Sequence, residues 1–310
     1  MNTPARLVVV LGPTASGKSV LGIRLAQELG GEIVVCDSTQ VYRRFDIGTA
    51  KVPAAERHAI PHHLVDLIEP DEVFTAGDYR RRALIVLEEI CRRGKTPILT
   101  AGTGLYLRAL LEGLADAPTR SEDLRERLRQ IVTARGPAHL HQVLARLDRA
   151  TAKRIAPGDT QKVIRALEMR LLTGRAVGEI HASGRSGLEG FEVRKIGLLP
   201  PRRALYDRTD RRVTAMLASG WIEEVRELVQ QVPADVKPFD FIGYTQLRAH
   251  LQGRLRIEDA TRQIQQATRR FAKRQITWFR RESNVQWLAG FGDDPEISAA
   301  TLECLQRNPA

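Results

Sequence analysis

The sequence predicts an α/β protein in which helices cover both faces of a parallel sheet, with an all-helical segment inserted into it. Two observations carry this prediction. Short apolar, β-branched runs alternate with helical patterns in the first part of the chain, as is typical of parallel strands buried on both faces. A polar stretch of amphipathic helices with no strand signal then separates these runs from a further strand. With 310 residues, 43% hydrophobic and 27% charged, the chain has the composition of a folded protein.

The first strand is expected over residues 7–11, which are all apolar, and a glycine-rich loop follows it. A helix then runs through Leu25 and ends at Gly30, because glycine readily adopts the left-handed conformation that ends helices. Thr75 is expected to cap the next long helix, since its hydroxyl can accept a free N–H of the first turn. The other expected strands are 33–36, 97–100 and 193–199.

Residues 118–192 are expected to form a helical insertion, whereas 1–117 and 193–310 form the α/β core. The elements expected in the insertion are helices over 121–135, 138–147 and 160–172 and a closing loop over 183–190. After its last strand the core is expected to be helical, with the longest helix over about 257–281.

The balance of charge indicates an anionic partner. Forty-eight Lys and Arg against 37 Asp and Glu leave a net charge of +11, although charge alone says nothing about fold. The longest apolar runs are too short to span a bilayer, and the N-terminal residues show no signal-peptide core. The three cysteines lie far apart in the sequence. We therefore expect a cytoplasmic protein with no membrane partner, and we expect a monomer.

The glycine-rich loop after the first strand matches the pattern G-x(4)-G-K-[ST]. Its residues are Gly12, Pro13, Thr14, Ala15, Ser16, Gly17, Lys18 and Ser19. The backbone N–H groups of such a loop cradle a diphosphate, the lysine balances its charge, and the final hydroxyl can reach Mg²⁺. The loop follows a strand and opens a helix, which is the context this motif requires. The expected core is therefore P-loop NTPase-like, and Mg²⁺ is the expected cofactor.

A second polar group, Asp37, follows the second strand, so it lies at the sheet edge where the P-loop also lies. From position alone its carboxylate could be a proton acceptor, a water-mediated magnesium ligand or a helix cap. Gln40 could hydrogen-bond the edge of a base, because a carboxamide both donates and accepts. Taken singly, a surface glutamine is more often solvated.

Several further blocks make the sequence recognisable. The P-loop is joined by DSTQVY at 37–42, DIGTAK at 46–51, PHHLVD at 61–66, GTGLY at 102–106, FIGY at 241–244 and KRQITWFR at 273–280. In this order they resemble the tRNA dimethylallyltransferases over most of the chain. One departure is Ala101, where the family usually has glycine. The sequence shows no counterpart of the zinc-finger extension of eukaryotic members, so the resemblance is to the bacterial form.

The resemblance implies that N6 of the adenosine just 3′ of the anticodon displaces diphosphate from dimethylallyl diphosphate. Thr14, Lys18 and Ser19 match diphosphate-binding positions, Asp37 matches the proposed general base, and Thr103 matches a contact to the reacting centre. Further positions match stretches that touch the anticodon stem-loop of tRNA. They are Asp37, Ser38, Thr39, Gln40, Thr103, Arg125, Gln161, Lys162, Val163, Ile164, Arg165, Phe241, Gly243, Tyr244, Lys273, Arg274, Gln275 and Arg280.

The implied chemistry is consistent with the residues themselves. An adenine amino group is a poor nucleophile, so catalysis needs stabilised charge on the departing diphosphate and a carboxylate to take the proton. The P-loop can supply the first and Asp37 the second. A small-molecule P-loop kinase is the main alternative, which the P-loop alone would favour, and a non-catalytic nucleic-acid-binding protein is a third.

The long helix is expected to present a cationic strip to tRNA, because residues 262–281 contain seven basic side chains and no acidic one. At about 100° per residue, two neighbouring lines of cations form, and an apolar side lies mostly opposite the first line. The first line is Arg262, Arg269, Lys273 and Arg280, the second is Arg270, Arg274 and Arg281, and the apolar side is Ile264, Ala267, Phe271 and Trp278. Phe271 and Trp278 are expected to pack in the core rather than stack on bases.

Overall fold

The computed structural model describes residues 4–115, 117–182 and 186–307. Residues 183–185, which belong to the loop expected over 183–190, lie outside these ranges. The strands are β1 (Ala5–Leu11), β2 (Gly31–Cys36), β3 (His62–His63), β4 (Thr96–Ala101), β5 (Phe191–Leu198) and β6 (Val285–Leu288).

The described helices fall into three stretches of the chain. The first stretch holds α1 (Lys18–Leu29), α2 (Ala76–Arg92) and α3 (Gly104–Glu112). The second holds α4 (Glu122–Arg135), α5 (Pro137–Leu147), α6 (Arg149–Ala152), α7 (Thr160–Thr173) and α8 (Val177–Ala182). The third holds α9 (Arg202–Ala218), α10 (Trp221–Gln231), α11 (Tyr244–Leu251), α12 (Ile257–Phe279) and α13 (Pro295–Gln306).

The chain folds into two compact units, one of Met1–Leu111 with Leu188–Ala310 and one of Glu112–Gly187. The boundaries of the insertion were predicted at 118 and 192. The first unit resumes at Leu188, whose N–H donates to the Leu111 carbonyl at 2.9 Å, before β5 begins. The second unit is a group of helices with its own core, in which Leu140, Leu144 and Leu167 are each at most 1% exposed.

The first unit confirms the predicted α/β class. Its described strands form one parallel sheet in the order β3-β2-β4-β1-β5-β6. Alternate residues of β1 enter different clusters, with Leu7, Val9 and Leu11 in one and Val8 and Val10 in the other. Because successive strand side chains point to opposite faces, the sheet is covered on both sides.

Two edge strands were not predicted from the sequence. β3 has two residues, too few for any pattern. β6 is a partly exposed strand of four that lies between α12 and α13, where the sequence analysis expected helices alone. Its short length and mixed exposure leave no clear apolar run to recognise.

The cap at Thr75 is confirmed. Its hydroxyl accepts the Asp78 N–H at 3.2 Å, and the Asp78 carboxylate accepts the Thr75 N–H at 2.9 Å. Two N–H groups at the start of α2 are thereby satisfied reciprocally. Among the described residues, no helix combines the length and apolarity needed to cross a bilayer.

Candidate active site

The loop between β1 and α1 has the shape of an anion cradle. Gly12 and Gly17 have φ of +156° and +88°, and a Cβ on either would lie within 3.0 Å of neighbouring atoms. At Gly17 those atoms include the backbone N of Gly292 and a carboxylate oxygen of Asp293. Glycine is therefore required at both positions, and the free N–H groups at the start of α1 favour a bound anion.

Lys18 is held at the base of this loop. Its ammonium donates to the Pro13 carbonyl at 2.8 Å. Desolvation and the nearby Arg212 lower the pKa of Lys18 to about 8, while Asp37 opposes this shift. A charge that is costly in the protein alone becomes favourable when an anion lies beside it, so this pKa marks a position suited to a phosphate group.

Two arginines of α9, Arg208 and Arg212, form a cationic wall of the site together with Lys18. They were not predicted from the sequence. Arg212 of α9 donates to the Thr14 hydroxyl at 3.2 Å, and burial together with Arg208 lowers its pKa. Arg208 pairs with Asp293 at 2.7 Å and lies over the Phe291 ring. The four-residue spacing places both arginines on one side of a helix. That spacing was the available sequence signal, but nothing in it indicates a partner 198 residues away in the chain.

Asp37 lies just beyond the carboxyl end of β2, as expected. Its Oδ1 accepts the Thr39 N–H at 2.8 Å and the Thr39 hydroxyl at 2.6 Å. Its Oδ2 faces Gly102, where a Cβ would approach it to 2.7 Å. One oxygen therefore caps the local turn while the other lies against the loop after β4, so capping and proton acceptance are compatible at this residue.

The turn after β2 is joined to the loop after β4 through Thr103. The Thr103 hydroxyl accepts the Ser38 N–H at 2.9 Å and donates to the Ser38 hydroxyl at 3.2 Å. Gln40 donates to the carbonyls of Thr49 and Ala50 at 3.1 and 3.3 Å. The amide donors of Gln40 are thus used within the protein. This contact differs both from the expected contact to a base edge and from a solvated side chain.

Most of these groups line one cavity of about 530 Å³ in the first unit, whereas Thr103 is not among its lining residues. One part of its lining is polar and cationic, and another is apolar. The polar part includes Thr14, Lys18, Ser19, Asp37, Arg208 and Arg212, and the apolar part includes Val213, Met216, Trp221, Phe241, Ile242 and Phe271. The cavity can therefore hold a phosphorylated compound that also carries a small apolar group.

The residues expected at 241–244 divide between the cavity and the core. Phe241 lines the cavity. Tyr244 is 0% exposed, and its hydroxyl donates to Glu224 at 2.7 Å. Gly243 packs so closely on Trp221 that a Cβ would lie 2.0 Å from the ring. The side chain of Tyr244 therefore has no free surface for a partner.

Two arginines expected at the tRNA share one buried acid within the helical unit. Arg125 and Arg165 both donate to Glu168, which is 0% exposed. The two Arg125 contacts are 2.9 and 2.8 Å. The ion pair of Arg125 and Glu168 therefore stabilises the helical unit itself.

The remaining expected positions of the helical unit lie on α7 and divide by burial. Val163 and Ile164 are buried in the core of this unit, whereas Gln161 and Lys162 are exposed. Lys162 also pairs with Asp159, the residue that caps α7. Only Gln161 and Lys162 thus present their side chains largely to solvent.

The cationic strip on α12 differs from the sequence expectation because two of its members are paired. Arg269 pairs with Asp210 of α9 at 2.5 Å, and Arg262 pairs with Asp259. Residues 262–281 do lack acidic side chains, but acids from a neighbouring helix and from the first turn of α12 meet these two arginines. The other five cations are exposed: Arg270, Lys273, Arg274, Arg280 and Arg281.

The buried face of α12 also differs from the expected apolar side. Its buried residues are Ala260, Ile264, Ala272, Gln275 and Phe279, of which only Ile264 was expected. The helix therefore packs with a face rotated from the one that the apolar pattern predicted, and that face includes a glutamine.

The two aromatic residues of α12 behave differently. Trp278 packs on the core as expected, against Gly104 and beneath Arg108. Phe271 is half-buried and lines the cavity, with Arg274 over its ring. The expectation that Phe271 packs in the core was incomplete, because the cavity interrupts the packing on that side of the helix.

The parallel sheet and the glycine-rich loop together define a P-loop α/β protein. Within that class, residues 40–282 match the sequence model of the IPP transferase family. The chain belongs to this family.

Relatives and solved structures agree with this family. A tRNA dimethylallyltransferase of Koribacter versatilis is 50% identical over 300 residues, 97% of this chain and 98% of the relative. The structure of a tRNA isopentenylpyrophosphate transferase from Bacillus halodurans covers 97% of both chains with a TM-score of 0.71 and 37% identity. A eukaryotic dimethylallyltransferase acting on tRNA is 27% identical with a TM-score of 0.84, covering 97% of this chain and 78% of that one.

Proposed function

We propose that this protein is a tRNA dimethylallyltransferase. It transfers the dimethylallyl group of dimethylallyl diphosphate to N6 of the adenosine immediately 3′ of the anticodon and releases diphosphate. The observation that carries the proposal is a single cavity lined by a P-loop, an aspartate and an apolar wall. The names of the relatives support this activity over that of a kinase, and an enzyme that modifies bacterial tRNA would work in the cytoplasm.

In the proposed reaction the bond between C1 of the prenyl group and the diphosphate oxygen breaks, and a bond from N6 to C1 forms. The departing diphosphate gains negative charge, which Lys18, Arg212 and the P-loop N–H groups would stabilise. Arg208 is held in the same wall by Asp293. Because these donors are already in place, little reorganisation is needed as the charge develops.

The proton of N6 must leave as the new bond forms, and Asp37 would accept it. The Oδ2 atom would take this role, since Oδ1 is engaged by Thr39. Thr103 follows Gly102 and is tied to Ser38, so it would contact the reacting centre from the same side. The apolar lining would surround the dimethylallyl group and exclude water from it.

The residues fit a magnesium ion that is bound mainly through the substrate. Ser19 is exposed on the cavity lining, and the described residues contain no group of three or more His, Cys, Asp and Glu that could hold a metal alone. Mg²⁺ commonly uses substrate phosphates, waters and one or two protein oxygens, and its charge offsets that of the phosphates. Ser19 would supply the protein oxygen.

For tRNA binding, we propose a role for the exposed cations at the C-terminal end of α12 and just beyond it. Arg270, Lys273, Arg274 and Arg280 are exposed, and phosphate contacts of this kind dominate affinity for nucleic acid. Arg274 also lines the cavity, so it would contact the tRNA backbone close to the base that enters the cavity.

In the helical unit, the exposed Gln161 and Lys162 would make further contacts to tRNA. Arg125 and Arg165 would support them by holding the fold around Glu168, to which both donate. This division follows from burial, since a side chain that is committed to a buried carboxylate has little freedom to bind a phosphate.

The target adenine must leave its stack to reach Asp37, and this is least costly in a single-stranded loop. Phe241 lines the cavity beside the other apolar residues and would contact the entering base or the prenyl group. Ser38, Thr39 and Gln40 also line the cavity and would contact the nucleotides on either side.

The decisive experiment supplies unmodified tRNA with either dimethylallyl diphosphate or ATP, in the presence of Mg²⁺. Transfer of the prenyl group to tRNA without ATP supports the proposal, and phosphoryl transfer from ATP to a small molecule supports the kinase. Lys18→Ala should abolish most turnover while tRNA binding persists, because the lost charge acts on the diphosphate alone. Normal turnover in that variant would refute the assignment of the P-loop.

A further inference from the structure

The side chain of Gln275 connects the two loops that the proposed reaction uses. Its Oε1 accepts the Thr14 N–H at 2.7 Å, and its Nε2 donates to the Gly102 carbonyl at 2.8 Å. Thr14 belongs to the P-loop, and Gly102 lies in the loop after β4. The side chain is buried, with 6% of the residue exposed. The orientation of the amide follows from its partners, since one can only donate and the other can only accept.

This bridge joins both of the loops that the proposed reaction uses. On one side it holds the loop that would receive the departing diphosphate. On the other it holds the backbone against which Oδ2 of Asp37 packs, at 2.7 Å from a Cβ on Gly102. The hydroxyl of the next residue, Thr103, accepts a hydrogen bond from the Ser38 N–H. A single buried amide therefore links the leaving-group cradle to the proton acceptor.

The proposed reaction depends on the separation of these two groups. In a direct displacement N6 approaches C1 from the side opposite the diphosphate, so Asp37 and the P-loop would lie on either side of the reacting carbon. A misplacement of about 1 Å in such an arrangement can lower the rate by about 10²-fold. A buried brace with two hydrogen bonds holds the groups in place better than two independent loops could.

We propose that Gln275 is a positioning residue that sets the distance between the P-loop and the Asp37 loop, an inference that rests on the proposed function. It differs from the expectation that Gln275 touches tRNA. Its neighbours Lys273 and Arg274 are exposed, whereas Gln275 is buried in the cavity lining and both ends of its amide are engaged. Substitution should therefore act on the chemical step and leave tRNA affinity unchanged.

The first test is Gln275→Met in the full-length chain, which keeps the length of the side chain and removes both hydrogen bonds. We expect kcat for prenyl transfer to fall about 10- to 100-fold, with KM for tRNA close to the wild-type value. Gln263→Met is the matched control, because Gln263 is an exposed glutamine of the same helix, and its kcat should be unchanged. Circular dichroism establishes that each variant is folded.

The second test, Gln275→Glu, retains an acceptor for Thr14 but places a carboxylate oxygen against the Gly102 carbonyl. When protonated, the introduced carboxyl group can donate to that carbonyl and restore the bridge. The ratio of variant to wild-type kcat should therefore rise as the pH is lowered from weakly basic to weakly acidic values. This readout remains available if Gln275→Met does not fold, and a side chain that only fills space would leave the ratio flat.

Three results would overturn the inference: an unchanged kcat in a folded Gln275→Met variant, a loss expressed only in KM for tRNA, or a flat pH ratio for Gln275→Glu. Failure of the proposed function is distinguishable, because the wild-type protein would then transfer no prenyl group to tRNA in the same assay.

Discussion

Gly102→Ala tests whether the position of Asp37 controls catalysis. An added methyl carbon would lie 2.7 Å from Oδ2 of Asp37, about 0.7 Å inside the 3.4 Å at which ordinary contact begins. The backbone of Gly102 does not have a positive φ, so alanine adds no backbone strain. The carboxylate or the loop after β4 must therefore move by a few tenths of an ångström or more, which changes the position of Asp37 relative to that loop. Since about 1 Å can cost roughly 10²-fold in rate, we expect kcat to fall about 10- to 100-fold.

The assay is steady-state prenyl transfer to tRNA, with KM measured separately for dimethylallyl diphosphate and for tRNA. Both KM values should stay close to those of the wild type, because the P-loop and the exposed cations of α12 are unaltered. Gly158→Ala is the control, since a Cβ there would meet nothing within 4 Å. A kcat indistinguishable from the wild-type value would refute the placement of Asp37 beside the reacting amino group.

Asp37→Asn keeps the size of the side chain and removes its basicity, so turnover should fall roughly 10²–10⁴-fold with little change in the affinity for dimethylallyl diphosphate. Nearly intact turnover would reduce Asp37 to a cap. Because burial lowers the pKa of Lys18 to about 8, the unliganded protein loses this charge above that pH. The dissociation constant of dimethylallyl diphosphate should therefore rise with pH there, by up to about tenfold per pH unit. Lys18→Arg, which stays charged, should abolish that slope. A dissociation constant that does not change with pH in the wild type would contradict this role of Lys18. Replacing Lys273 and Arg280 together by Gln should make the salt dependence of tRNA binding shallower by up to about two units of slope. Lys95→Gln, at an exposed position outside the cavity, should leave this salt dependence unchanged. An unchanged slope in the double variant would mean that the tRNA binds elsewhere.

Features that depend on neighbours in the chain could be predicted without the structure. The P-loop was recognisable because its glycines, lysine and serine occupy consecutive positions between a strand and a helix. β1 was recognisable as an unbroken apolar run, because both of its faces are covered and its alternate residues enter two clusters. Asp37 could be placed near the P-loop because parallel strands end at one edge of a sheet.

Contacts between distant segments had to come from the folded molecule. Arg212 contacts Thr14 across 198 positions of sequence, and Gln275 contacts it across 261. Asp210 pairs with Arg269 from another helix, which interrupts the cationic strip that the sequence of α12 predicts. The physical reason is that helical periodicity states which residues share a face but not what that face packs against. The partner of each face depends on how α9 and α12 pack around the sheet.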